Sequence, residues 1–195
     1  MGCSFRTSSF SKCLKQPPFL ISFFDYRSDF IISPPKKHFI IQREIFLIVK
    51  FIINQQLLQP ESIAIIGGSN DVTKPGGKVL KNLLDHHFKG KLYVVNPKET
   101  KVQGLPCYND ARDLPPTDMA ILAVPARLCP ESVKILAETK STKAFIILSA
   151  GFHEESQEGA RLEEEIVETV NKTGGCLIGP NCIGVMTPYH TSVFT

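Results

Sequence analysis

SIAIIGGSNDVTKPGGKVLKNLLDHHFKGKLYVVNPK, residues 62 to 98, decides the fold. Residues 63 to 66 are a short apolar run that ends in Gly67-Gly68, the pattern of a strand buried on both faces and stopped by a tight turn. Pro75-Gly76-Gly77 then opens a helix whose apolar positions Val79, Leu80, Leu83 and Leu84 fall at the three and four spacing of one face. The helix is predicted to stop near His87, and Gly90 breaks the chain before a second apolar strand, Leu92 to Val95. A strand, crossover helix and strand of this length make a right-handed βαβ unit. The strands are therefore expected to be parallel, with the helix N-terminus facing the loop 67 to 77.

That geometry favours an anion. Glycines admit a ligand close to the backbone, and the unpaired amides of a helix N-terminus carry partial positive charge. A dinucleotide is the common ligand of such a turn, but GGSNDVTKPGG is not G-x-G-x-x-G. The second strand also runs into Asn96-Pro97-Lys98 where an acidic residue should hold a ribose diol, although Glu99 is close enough to keep NAD open. A lysine there suits a ribose that carries a phosphate, which means NADP or coenzyme A. The plainer alternative is a tight glycine turn with a solvated Lys98 and no ligand.

The rest of the chain repeats the unit. Lys101 to Gly104 and Cys107-Tyr108 read as a small excursion marked by the turn residues Pro106 and Asn109-Asp110. A third apolar run follows Asp118 and ends at Pro125, then a helix from Cys129 to Thr139 with Val133, Leu136 and Ala137 inward, and a fourth run from Ala144 to Leu148. A longer helix, about Gln157 to Thr173, turns Leu162, Ile166, Val167 and Val170 inward and Glu163, Glu164, Glu165 and Glu168 outward, as a solvated face. Gly174-Gly175 caps it, Cys176 to Ile178 is a short fifth strand, and Gly179 to Gly184 is a second turn-rich stretch. Alternating strands and helices imply an open parallel α/β sheet with helices on both faces. Ligands in such sheets bind beyond the C-terminal strand ends. Here those ends are Gly67-Gly68-Ser69, Asn96-Pro97-Lys98, Pro125-Ala126, Ser149-Ala150-Gly151 and Gly179-Pro180-Asn181, small or polar residues that are expected to converge on one crevice. Loops favour such residues in any case.

Composition bounds the alternatives. At 195 residues the chain is long enough for one ordinary domain. Its net charge of +3 is unevenly spread: residues 1 to 59 carry eight Lys/Arg against three Asp/Glu, while residues 60 to 195 carry fourteen against sixteen. The part with chemistry is mildly acidic, which argues against nucleic acid as a partner. Six cysteines show no short paired spacing of a zinc site, and reduced thiols in a cytoplasmic protein are expected.

Residues 1 to 52 differ from the remainder and are read as an atypical leader, with residues 53 to 195 as the domain. Residues 1 to 51 hold nine of the thirteen phenylalanines, and no glycine follows Gly2 in the leader. A secretory signal does not fit the short run Pro18 to Phe24, which leads into Asp25-Tyr26-Arg27, and Arg6 occupies the position where myristoylation wants Ser or Thr. Lys36, Lys37, Arg43, Glu44 and Lys50 interrupt every apolar window before it reaches about 18 residues, so no membrane span is expected. Upstream DNA read in frame through a misplaced start is the preferred reading. An ordered helix from Phe39 to Leu58 and an organelle transit peptide, for which residues 1 to 24 supply Arg6, Lys12, Lys15 and serines without acids, are the alternatives.

GGSNDVTKPGGKVLKN from Gly67, YVVNPK from Tyr93, AILAVPA from Ala120, IILSAGFHEES from Ile146 and GPNCIGVMTP from Gly179, in this order, resemble the CoA-binding domain of the NDP-forming acyl-CoA synthetases. That family includes ADP-forming acetate-CoA ligase and the succinyl-CoA synthetase α subunit, and the similarity spans about residues 53 to 195. The resemblance implies a Rossmann-like fold with coenzyme A in the crevice. By position, the loop with Gly67, Gly68, Ser69, Asn70, Lys74, Gly76 and Gly77 resembles the segment that wraps the CoA nucleotide and phosphates. Asn96, Pro97 and Lys98 resemble the stretch near the ribose phosphate, Val124-Pro125 the adenine or pantetheine side, and Ser149-Ala150-Gly151 the flank of the pantetheine arm. Asn181 and Cys182 resemble the stretch near the family's active-site loop.

The family also implies a phosphohistidine in a following domain and an ATP-grasp domain, and the chain stops before either. It is therefore expected to be a module or fragment of a larger, oligomeric ligase, which binds CoA through these residues and does not catalyse alone. No metal site is expected. None of His38, His86, His87, His153 and His190 lies in a stretch like the phosphohistidine loop; surface imidazoles are expected, with His153 nearest the crevice. An NADP-binding redox or sensor protein and a regulatory CoA-binding module of a protein acetyltransferase stay open.

Overall fold

The computed structural model describes residues 53–195, and its central strand is β1, Ser62–Ile66, every residue of which is buried. Alternation divides this strand between two cores. Ile63 and Ile65 pack with Leu57, Val79, Leu80 and Leu83 on one face. Ala64 and Ile66 pack with Val133, Leu136, Phe145, Phe152 and Ile166 on the other. A strand covered on both faces has no polar side to show, which is why it reads as an unbroken apolar run.

The elements follow in order: α1 (Gln55–Leu58), β1, α2 (Pro75–Asp85), β2 (Lys91–Val95), β3 (Lys101–Val102), β4 (Leu105–Tyr108), β5 (Met119–Leu122), α3 (Cys129–Thr139), β6 (Ala144–Ile147), α4 (Gln157–Lys172), β7 (Cys176–Ile178), β8 (Gly184–Met186) and β9 (Thr191–Val193). Seven strands form one sheet in the order β3-β4-β2-β1-β5-β6-β7, and β8 and β9 form a separate hairpin. Every neighbouring pair in the large sheet is parallel except β3 with β4. Buried residues of α1 and α2 belong to one core and those of α3 and α4 to the other, so both faces are covered by helices. This is the expected Rossmann-like α/β fold.

The structure departs from the sequence reading at four places. The stretch 101 to 108, expected to be an excursion of turns, contains β3 and β4, and β4 extends the parallel sheet through Val94–Cys107 and Val95–Tyr108. Pro106 is tolerated because the pairing with β2 begins only after it. Glu163, expected on the solvated face of α4, is buried and takes His153 as partner, while Val167, expected inward, is half-buried. His190, expected at the surface, is buried at 4% exposure. Its Nε2–H donates to the carbonyl of Leu57 at 2.7 Å, and Ser192 Oγ lies 2.8 Å from Nδ1, so the neutral ring clasps α1 to the terminal hairpin. Burial pushes its pKa down, and the bond to Leu57 acts in the opposite sense.

Residues 1 to 52, with the leader reading and most of the helix expected from Phe39, lie outside the described residues; Gln55–Leu58 is helical. Cys107, Cys129, Cys176 and Cys182 are free thiols, and burial pushes that of Cys129 up to about 12. Among the described residues no helix is long and apolar enough to cross a membrane.

Candidate functional site

The strand order reverses at β1 and β5: α2 carries the chain from β1 to β2 on one side, and β5 lies on the other. In open α/β sheets the ligand crevice lies at such a switch point, beyond the C-terminal strand ends. Ala123 N–H donates to the Ile66 carbonyl at 2.8 Å and Gly67 N–H to the Val95 carbonyl at 2.9 Å, so the first residues after β1, β2 and β5 stay side by side. Gly67 has φ +85°, and a Cβ there would stand 2.6 Å from the Ala123 carbonyl oxygen. Only glycine makes that turn without strain.

The loop from Gly67 to Gly77 folds back on itself before α2. Asp71 Oδ1 accepts from the amide and hydroxyl of Thr73 at 2.9 and 2.6 Å, which form an Asx turn; the hydroxyl first and the amide second hold its carboxyl below the ordinary range. Gly76 brings the start of α2 against the β1 turn: a Cβ on it would lie 2.1 Å from the Gly67 carbonyl oxygen. Lys74 is exposed and only 3.8 Å from Asp71, a contact that contributes little. The loop is tied mainly through its carbonyls. Asn96 Nδ2 donates to the Gly68 carbonyl at 2.8 Å. The Gln103 amide donates to the carbonyls of Ser69 and Gly77 at 2.9 and 2.8 Å. The amides of Gly68, Ser69, Asn70 and Val72 find no acceptor among the described residues. In the first turn of α2, Pro75 has no N–H and the amides of Gly77 and Lys78 donate to the Lys74 carbonyl at 3.0 and 2.8 Å, which leaves the Gly76 amide to join the four as a donor suited to a diphosphate.

The other expected residues join the same end of the sheet. Lys98 is exposed three residues beyond β2, and its amide donates to Asn96 Oδ1 at 3.0 Å; Pro97, between them, is exposed. Glu99 accepts from Asn70 Nδ2 at 3.3 Å, so the acid that kept NAD open is turned toward the loop. Val124 lies against the Gly67 turn, within 2.8 Å of where a Cβ there would stand, and its carbonyl accepts the Ser149 hydroxyl. Pro125 is exposed beside it and caps the short 3-10 turn Ala126–Leu128. Asn181 is exposed, and its amide donates to the Ser149 carbonyl at 2.9 Å. Ala150 is exposed, and Gly151, at φ +101°, passes 3.3 Å from the Ala126 Cβ when given a Cβ of its own. Phe152, fully buried, pins this turn to the sheet.

Beyond Gly151 stands a polar cluster. His153 Nδ1 meets Glu163 Oε2 at 2.7 Å, and Glu154 Oε1 accepts the Gly151 amide at 2.9 Å. Each of the three side chains offers an atom within 4.8 Å of the others. The bonds just named account for the grouping. The Glu163 carboxylate, by accepting from the imidazole and by its charge, raises the His153 pKa above the ordinary value. Sequence reasoning placed His153 near the crevice and missed Glu163, whose neighbours Glu164 and Glu165 made it look like one more solvated acid. Gln103 was missed because it falls in the stretch read as turns. A separate open groove of about 740 Å³ lies at the opposite, N-terminal edge of the sheet, lined by Glu61, His86, His87, Lys89, Lys91 and Tyr189 among others. None of the strand-end residues borders it. The backbone donors, the close glycine approaches and Lys98 all belong to the switch-point end of the sheet.

A seven-stranded Rossmann-like domain with a glycine loop at its switch point is the class that these features define. The family described as CoA binding domain matches residues 61–188, and the chain belongs to it. Among curated proteins it is 42% identical over 133 residues to acetate–CoA ligase [ADP-forming] II of Archaeoglobus fulgidus, a match that covers 68% of this chain and 20% of that one. It is 41% identical over 131 residues to the α subunit of acetate–CoA ligase [ADP-forming] II of Pyrococcus furiosus, covering 67% and 28%. A solved dinucleotide forming acetyl-coenzyme A synthetase 1 from Ca. Korarchaeum cryptofilum, in complex with phosphate and ADP, superimposes with a TM-score of 0.66 at 32% identity, covering 72% of this chain and 30% of that one. These relatives accord with the NDP-forming acyl-CoA synthetase family that the motifs resemble. The chain spans between about a fifth and a third of their lengths.

Proposed function

We propose that this domain binds coenzyme A at the switch-point crevice and serves as the CoA-binding part of an NDP-forming acid-CoA ligase, of the ADP-forming acetate type. The observation that carries the reading is the loop 67 to 77, tied through its carbonyls with four amides left to donate, in a domain matched by the CoA binding family. The loop and the N-terminus of α2 would take the diphosphate, and Lys98 the phosphate on the ribose. Val124, Pro125 and the small turn Ser149-Ala150-Gly151 would leave a path for the pantetheine arm. In the whole enzyme a carboxylic acid, CoA and a nucleoside triphosphate give acyl-CoA, nucleoside diphosphate and phosphate. The part played here is to hold the thiol toward an acyl phosphate formed on ATP-grasp and phosphohistidine parts of the same assembly, which is positioning and not proton transfer.

Lys98→Ala tests the assignment. Calorimetry on the full chain is expected to show CoA weakened about tenfold and dephospho-CoA nearly unchanged, because a charge-assisted contact of about 1.5 kcal/mol exists only with the ribose phosphate. Equal losses for both ligands would remove Lys98 from the ribose phosphate. NADP shares that phosphate, and a preference for NADPH over CoA would replace the ligand while leaving the crevice.

A further inference from the structure

We propose that Gln103 is a positioning residue for the ligand loop: its side-chain amide clamps the two ends of residues 69 to 77 and so sets the direction of the amides between them. This rests on the reading of the crevice as a CoA site. One primary amide carries two N–H donors, and here both are used, on the Ser69 carbonyl at 2.9 Å and the Gly77 carbonyl at 2.8 Å. The two acceptors are eight residues apart in sequence, at the entrance of the loop and in the first turn of α2. Holding both from one planar group fixes their separation.

The clamp is itself held. Gln103 N–H donates to Asn70 Oδ1 at 2.8 Å, and Asn70 Nδ2 donates back to the Lys101 carbonyl at 3.0 Å, so the β3–β4 turn and the loop grip each other. Gln103 sits at φ +47°, the left-handed region that a residue with a side chain enters rarely. Gly104 follows it at φ +88° with open space around it. The turn thus keeps a strained side-chain residue at its first left-handed position and leaves the glycine to the second. The side chain that occupies that position is the one that reaches across to the loop. Gln103 and Asn96 hold the loop by its carbonyls, and the amides of Gly68, Ser69, Asn70 and Val72, which have no acceptor among the described residues, remain for an anion.

Gln103→Met keeps the length and the unbranched stem and removes both donors without adding charge. In the full chain it is expected to weaken CoA and dephospho-CoA by the same factor, about tenfold, since the loop meets the diphosphate that both ligands share. The thermal midpoint of the ligand-free protein is expected to fall by only about 3 °C. Peptide-resolved amide hydrogen exchange without ligand is expected to speed up in residues 69 to 77 and to stay unchanged in α3 and α4. If wild type binds CoA and the variant binds it equally well, the role is overturned. It is overturned also if exchange in 69 to 77 does not change, whatever the ligand does. If wild type fails to bind CoA while exchange in the loop still accelerates in the variant, the CoA reading falls and the clamp stands.

Discussion

Gly76→Ala is expected to lower the thermal midpoint by roughly 10 °C and to weaken CoA by about 100-fold. The new methyl would lie 2.1 Å from the Gly67 carbonyl oxygen, 2.9 Å from its carbon and 3.2 Å from the Ala123 Cβ. The first two neighbours are backbone, and Gly67 is fixed between β2 and β5 by its own amide on the Val95 carbonyl and by the Ala123 amide on the carbonyl of the preceding residue, Ile66. No side chain can swing aside to relieve the clash. The start of α2 must move outward instead, at a cost of about 3 kcal/mol, and the helix N-terminus leaves the loop it faces. Stability and ligand affinity fall together here because one backbone contact serves both. Thermal unfolding followed by circular dichroism, with calorimetric titration, measures both; a midpoint within about 2 °C of wild type with full affinity would contradict the packing of α2 on the β1 turn.

Phe152→Ala is expected to cost about 3–5 kcal/mol in denaturant unfolding. Its ring is fully buried in the core beneath α3 and α4, with Phe145, Val133 and Ile166. Its carbonyl accepts the amides of Glu155 and Ser156 at 3.0 and 3.3 Å, so the ring also anchors the turn that leads into α4. Gly159 seals the arrangement: a Cβ there would lie 2.0 Å from the Phe152 oxygen. Leu128→Ala, at a side chain in a residue 47% exposed, is the comparison and is expected to change stability by less than about 0.5 kcal/mol. A Phe152 variant as stable as the Leu128 variant would mean that the Ser149–Gly151 turn is not held by that ring.

The legible part of this protein is the part governed by short-range rules. β1, α2 and β2 could be read because an apolar run, a Pro-Gly-Gly helix start and a glycine break are each local signals, and α3 came out with its observed ends, Cys129 and Thr139. The strand ends were also legible: Asn96 does bond to Gly68, and Asn181 to Ser149. β4 was not, because Leu-Pro-Cys-Tyr has neither period nor length, and its strand character comes from β2 beside it. Glu163 was hidden for a different reason. A helix period sorts apolar from polar residues but cannot see that His153, ten positions earlier, returns to partner a buried carboxylate. His190 needed both ends of the domain, since the carbonyl it meets belongs to Leu57. Gln103 needed a left-handed turn whose only signal in the sequence is Gly104 after it.

The most direct measurement is amide hydrogen exchange of the full chain with and without CoA, resolved by peptide. Protection is expected in residues 67 to 77, 96 to 98, 123 to 126 and 149 to 151, the four strand-end segments that meet at the switch point. Protection confined to residues 86 to 91 and 188 to 189, the groove at the other edge of the sheet, would put the ligand at the wrong end of the domain. Either that pattern or no protection at saturating CoA would contradict the assignment of the crevice as its site.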